Sequence, residues 1–150
     1  MEVKTMKISI SLAVAATVVG LLALGCEEAV EKGSIAGNVK DDGANVSGAF
    51  CLLLEEGKMV TGETPLSNAS VTNGQGNYTI YLVEPNKNFY LAAIKDNDNN
   101  QQYTPGTDAI GYYGTYNEQT HVWIPTVIRL GSGEDKTGVN VADMYVMPAD

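Results

Sequence analysis

Asp96, Asp98 and Asn100 stand at alternate positions in the stretch "IKDNDNNQQYTPGTDAIGYYG", Ile94 to Gly114, and Asp108 follows after a gap. Oxygens at alternate positions of a tightly wound loop converge on one point. A hard cation such as Ca²⁺ takes six to eight oxygens at about 2.3–2.6 Å. The spacing therefore points to a metal loop with side-chain ligands Asp96, Asp98, Asn100 and Asp108, joined by the main-chain carbonyl of Gln102. The competing reading is a solvated turn without an ion, since Asp and Asn are common turn formers. With only three carboxylates, the affinity expected is that of extracellular modules, about 10⁻⁴–10⁻³ M.

A second group is aromatic. Tyr112, Tyr113, Tyr116 and Trp123 fall close together in the sequence, with Tyr103 just before them. Exposed Tyr and Trp rings stack on sugar faces or anchor protein contacts. The same residues are natural strand formers, so core and strand packing is the alternative. Catalytic sets are missing. His121 is the one histidine, and no G-x-S-x-G elbow accompanies it. A zinc site normally draws on several His or Cys, and the chain offers His121, Cys26 and Cys51. The adjacent acids Asp41–Asp42, Glu55–Glu56 and Glu134–Asp135 read as solvated turn residues. The chain is therefore expected not to be an enzyme.

The net charge of −9 leaves no basic footprint for nucleic acid. It fits an exported, soluble-faced domain that sometimes binds cations. Its partners are expected to be a membrane, through an anchor, and an envelope protein or glycan that the sequence does not identify.

The elements that must position these groups are short strands. "SIAGNVK" places Ile35, Gly37 and Val39 on one face. "GAFCLLLEE", "NYTIYLV" and "NFYLAAIK" are strong strand patterns, while "KMVTG" and "NASVT" are weaker ones. In "NYTIYLV", Tyr78, Ile80 and Leu82 alternate against Thr79, Tyr81 and Val83 and are expected to be buried. "HVWIPTVIRL" carries Pro125, the mark of an edge strand or bulge, and "GVNVADMYV" closes the chain. Between them lie "DDGAN", "EEGK", "NGQGN", "EPNKN" and "GSGEDKTG", clusters that make turns. Gly74 and Gly76 are expected to take positive φ in a hairpin loop. No long helical period is present. The pattern predicts an all-β fold, an antiparallel β-sandwich over residues 34–150.

The N-terminus reads as a leader. Lys4 and Lys7 precede an apolar run from Ile8 to Leu24, at the short end of what spans a bilayer, about 17–25 residues. The run ends at "LLALGC" and turns acidic with Glu27, Glu28 and Glu31. Leu22 to Cys26 resembles the lipobox of bacterial lipoproteins, with Ala23 where Leu is more usual. The resemblance implies a signal peptide over residues 1–25, helical if uncleaved. It also implies lipid on Cys26 and a lipidated tether over residues 26–33. Two or three acyl chains hold a protein stably on a membrane. Glu27 stands where an Asp would favour inner-membrane retention, so the resemblance implies an outer-membrane lipoprotein of the cell envelope, periplasmic or surface-exposed. Cys51 is then left without a partner, and its apolar setting predicts a buried small hydrophobe.

"GSIAGNVKDDGANVSGAF" resembles the opening of carboxypeptidase regulatory-like domains, through Gly33, Ile35, Gly37, Val39, Gly43, Gly48 and Ala49. "TNGQGNYTI" resembles their next signature, through Thr72, Gly76, Tyr78 and Ile80. Over about residues 33–96 the resemblance implies a prealbumin-like or carbohydrate-binding-like β-sandwich of about seven strands. The segment "EEGKMVTGETPLSN" stands outside it as an insertion. The Asp96–Gly114 stretch resembles the calcium loops of dockerin-like and prealbumin-like bacterial lipoprotein domains. It departs at Gln101, where such loops place Gly, at Thr104, where Asp is usual, and at Asp108, one residue late. These readings add up to a lipid-anchored structural or interaction module with a structural Ca²⁺, or alternatively a glycan-binding accessory lipoprotein.

Overall fold

The structure, a computed structural model, describes residues 30–149. Cys26, the lipobox-like segment before it and the apolar run Ile8 to Leu24 lie outside the described residues. The chain is all-β. In order, its strands are β1 (Gly33–Asn38), β2 (Lys40–Asp41), β3 (Ala44–Asn45), β4 (Phe50–Glu55), β5 (Leu66–Val71), β6 (Asn77–Val83) and β7 (Phe89–Lys95). They continue with β8 (Ala109–Tyr112), β9 (Gly114–Asn117), β10 (Val122–Pro125), β11 (Asp135–Lys136) and β12 (Tyr145–Val146). A short helix, α1 (Glu56–Thr61), follows β4 directly.

Two sheets form the sandwich. One has three strands, in the order β11-β1-β6, and the other has five, in the order β12-β8-β7-β4-β5. Eight strands thus stand where about seven were expected. Pairing is antiparallel throughout the larger sheet, and β1 pairs with β11 in parallel. The sheets share one core. Ile35, Val39, Tyr78, Ile80 and Val83 come from the smaller sheet side. Cys51, Leu53, Phe89, Leu91 and Ala93 come from the larger. Ile128, Leu130, Val139 and Val141, from the last third of the chain, complete it. Each such aliphatic or aromatic side chain contributes about 1.5–3 kcal/mol when fully removed from water.

The period-2 pattern explains most of these placements. In β4, Cys51 and Leu53 are buried, while Phe50 is exposed and Leu52 and Leu54 are half-buried. Cys51 is a free, buried thiol, as its neighbours predicted. Gly37 makes room for a crossing backbone: a Cβ there would lie 1.9 Å from the Val139 carbonyl oxygen. The same carbonyl accepts the Tyr78 hydroxyl at 2.5 Å, so the buried phenol is satisfied. Thr72, also buried, accepts from the Ala49 N–H at 2.9 Å and donates to the Val46 carbonyl at 2.7 Å. The four residues Thr72, Gly76, Tyr78 and Ile80 of the second signature thus do distinct work. They cross-link a loop, turn the chain at φ 74°, anchor a carbonyl and fill the core.

Several expectations are corrected. Leu82 is not buried: it is 68 % exposed at φ 58°, and Val83 is buried instead. The register between β1 and β6 shifts between Gly33 and Ile35, so an extra residue on β6 inverts the alternation. Gly74 has no positive φ; Gly76 supplies it alone in that loop. "KMVTG" falls largely in α1 rather than a strand, closed by Gly62 at φ 76°. "HVWIPTVIRL" is not one strand. It is β10 followed by a segment in which Ile128 bridges Phe89. Pro125 ends β10, the edge of a two-stranded hairpin with β9. Glu31 is already tied to the domain, since the Glu31 N–H donates to Ser132 and its carbonyl accepts from Gly133.

Candidate functional site

The loop between β7 and β8 brings three carboxylates together. One oxygen each of Asp96, Asp98 and Asp108 lies within 4.8 Å of the others. Burial is graded across the set: Asp108 is fully buried, Asp96 half-buried and Asp98 exposed. The group can hold a metal ion.

Main-chain turns fold the loop onto these side chains. Asp96 accepts from the N–H groups of Asn100 at 3.3 Å and Gln101 at 2.8 Å. Asp98 accepts from the Asn100 N–H at 3.1 Å and its side-chain amide at 3.0 Å. Asp108 accepts from the Asn97 N–H and the Thr104 N–H, each at 2.8 Å, and so staples the start of the loop to its far side. Each of the six carboxylate oxygens accepts one of these bonds. A carboxylate oxygen has two lone pairs, so each retains one for a cation. Burial pushes the Asp96 carboxyl up, but the N–H groups of Gln101, Asn99 and Asn100 and the Asp98 side chain outweigh it. The group is held below its ordinary value, in its ionised form.

Gln101, where the resemblance would place a glycine, adopts the left-handed conformation at φ 63°, and Asn99 does so at φ 58°. The turn is therefore made without the glycine, at a backbone cost of about 1–2 kcal/mol for a residue with a Cβ. Asn100 bridges the loop through its amide, donating to Asp98 and, at 2.8 Å, to Thr104. Its side-chain oxygen accepts from the Gln102 N–H at 2.7 Å. Thr104 thus enters the network as a hydrogen-bond acceptor.

The aromatic residues divide. Trp123 lies 5.7 Å from Tyr112 and 5.0 Å from Tyr116, measured between ring centres. Tyr113 points the other way and packs against the core, as alternation after Tyr112 requires. The β9–β10 pairing sets Tyr116 opposite Trp123 and aims both at the larger sheet. There Tyr145, from β12, stacks on Tyr116 at 3.9 Å and meets Trp123 edge-on at 5.8 Å. Sequence reasoning missed Tyr145. It lies far from the other rings in the chain, and only the β12–β8 pairing brings it alongside. All four rings are half-buried and contact one another. His121 sits exposed in the hairpin turn, with its Nδ1 3.0 Å from the Tyr116 hydroxyl.

No protein-family model matches the chain, and no curated protein matches it.

Proposed function

We propose that this chain is a lipid-anchored cell-envelope module that works by structure and interaction rather than by catalysis, with a calcium ion stiffening the Asp96–Asp108 loop. The convergence of Asp96, Asp98 and Asp108 within 4.8 Å carries the calcium part of this reading. Three like charges at that range repel one another, and a divalent ion relieves the repulsion. Oxygen-only donors in a small loop suit Ca²⁺ better than softer metals. The ion's task is to hold the β7–β8 connection closed, so it is structural. The anchor rests on the lipobox-like segment ending at Cys26, and Glu27 after it supports the outer membrane over inner-membrane retention.

Two measurements test the reading. Millimolar Ca²⁺ raises the melting temperature of the chain, and Asp98→Ala removes that rise. An unchanged melting temperature with Ca²⁺ sinks the metal. Cys26→Ser leaves the chain at precursor size and unlabelled by radioactive palmitate. Normal labelling of that variant refutes the anchor.

One observation supports a second reading, a glycan-binding accessory lipoprotein: Tyr112, Tyr116 and Trp123 converge on one side of the hairpin. Their mutual contacts also account for them as packing. Retarded migration in polysaccharide-loaded gels, abolished by Trp123→Ala, is the result this reading requires. Equal mobility across a broad polysaccharide panel removes it.

A further inference from the structure

The chain enters the domain at one end of the sandwich. Glu31 is tied there to Ser132 and Gly133. Lys32 pairs with Glu84 at 3.9 Å, and Gly33 lies opposite Val83 at the end of β6. The turn after β6 shares that end with α1. Lys87 bridges Glu84 at 2.7 Å and Glu55 at 3.1 Å, and Lys58 of α1 reaches Glu55 at 3.4 Å. An unbroken run of ion pairs thus joins the entry point to α1.

Apolar side chains stand out of this end. Val60 of α1 is 83 % exposed, and Val30, Met59 and Leu66 are exposed near it. Leu82, next to Val83, is exposed and held in left-handed backbone at φ 58°. A bulky side chain rarely adopts that conformation, and strain of this kind gathers where a side chain has a task. Here it turns a leucine outward that alternation would bury. The exposed Val122 and Ile124 lie elsewhere. Their hairpin meets Tyr145, which pairs with Ile110 on the far half of the larger sheet.

Charge also separates the two ends. Lys32, Lys58, Lys87 and Arg129 are at the entry end, Arg129 being placed there by its neighbour Ile128, which bridges Phe89. All four ion pairs among the described residues lie at this end and neutralise Glu55 and Glu84. The far end carries Asp41, Asp42, Asp96, Asp98, Asp108 and Asp143, none of them in an ion pair among the described residues.

We infer that the entry end lies on the bilayer that holds the acyl chains, with Val60 and Leu82 sunk among the lipid headgroups. The acidic end, with the Asp96–Asp108 loop, then faces away from the membrane. The proposal rests on the lipid-anchor reading, because the place of the anchor selects the occupant. The five steps from Cys26 to Glu31 reach at most about 18 Å, at about 3.6 Å each. Strand β7 alone, seven residues rising about 3.3 Å each, is about 23 Å long. The tether is shorter than the domain, so the entry end never leaves the neighbourhood of the headgroups. Apolar side chains rimmed by lysine and arginine suit that boundary. Their hydrocarbon enters it while the cationic groups stay at the phosphates.

A single fluorescent label tests this in the whole lipidated chain, reconstituted in phosphatidylethanolamine–phosphatidylglycerol vesicles. Val60→Cys, Leu82→Cys and, at the far end, the exposed Asn45→Cys each carry the dye. Acylated Cys26 and buried Cys51 do not react. The expected result is quenching by aqueous acrylamide several-fold weaker at positions 60 and 82 than at 45. Acrylamide is neutral, so the acidic end does not bias the comparison. If Leu82→Cys loses its β-sheet circular dichroism, Val60→Cys decides. Equal quenching at 60 and 45 in a chain that floats with the vesicles overturns the docking and leaves the anchor standing. A chain that does not float refutes the anchor, and the docking with it. Protection that disappears when the protein is diluted in lipid identifies a second copy as the occupant and also overturns the proposal.

Discussion

Gly37 and Gln101 are opposite cases of a residue meeting its backbone. At Gly37 the backbone of Val139 occupies the space of a Cβ, so the methyl of Gly37→Ala has nowhere to go. The strands must separate locally, and the variant is expected to lose about 1–3 kcal/mol, read as a lower urea midpoint at unchanged slope. Gln101 holds a conformation that favours glycine. Gln101→Gly relieves about 1–2 kcal/mol of strain but makes the unfolded chain more flexible by about 0.5–1 kcal/mol. A net gain of up to about 1.5 kcal/mol in unfolding free energy is expected. A loss there would mean that the glutamine side chain holds the loop by contacts of its own. Gly76 was legible in the sequence because a positive φ in a hairpin loop is a local demand, and Tyr78 because period-2 alternation turns it inward. Tyr145 was not, because its partners come from strands distant in the chain.

At the scale of the element, the β7–β8 loop is held by carboxylates acting as hydrogen-bond acceptors. That makes it acid-sensitive. Asp96 is held below its ordinary value, so its contribution is complete above the unfolded value of about 3.9 and is lost as pH falls through the folded value. The melting temperature is expected to drop on acidification below about pH 4, and the Ca²⁺-induced rise to vanish in the same range. Asp96→Asn should flatten that part of the profile, which thermal melts at stepped pH would measure. Strand β6 shows where element reading stops. Alternation placed Tyr78 and Ile80 correctly and failed at Leu82, because a bulge depends on the partner strand's register. Glu55 and Glu56 likewise read as a turn. They instead end β4 and begin α1, with Glu56 accepting from the Tyr90 hydroxyl at 2.6 Å and from Asn88 at 2.8 Å.

At the scale of the molecule, stability rests on a core closed by distant segments and without a disulfide among the described residues. Cys51 lies in that core, and burial pushes its thiol up to about 12. Alkylation at pH 8 should therefore modify Cys51 only as fast as the domain opens, and rapidly once urea unfolds it. Mass mapping of the Cys51 peptide over time distinguishes this from the rate of a free thiol, which would mean an open core.

What the sequence by itself determined is the all-β character, the principal strands and the three acids of one loop. These follow from period-2 burial, turn chemistry and spacing within a few residues. The tertiary structure decided which sheet each strand joined and how Val139 and Tyr145 meet β1, β6 and β9. It also decided that Val71, Phe50, Ile94, Ile110 and Tyr145 line up in one row on the outer face of the larger sheet. That face is invisible along the chain, because each strand contributes only two or three residues to it. Register alone sets Phe50 beside Ile94, and Ile94 beside Ile110.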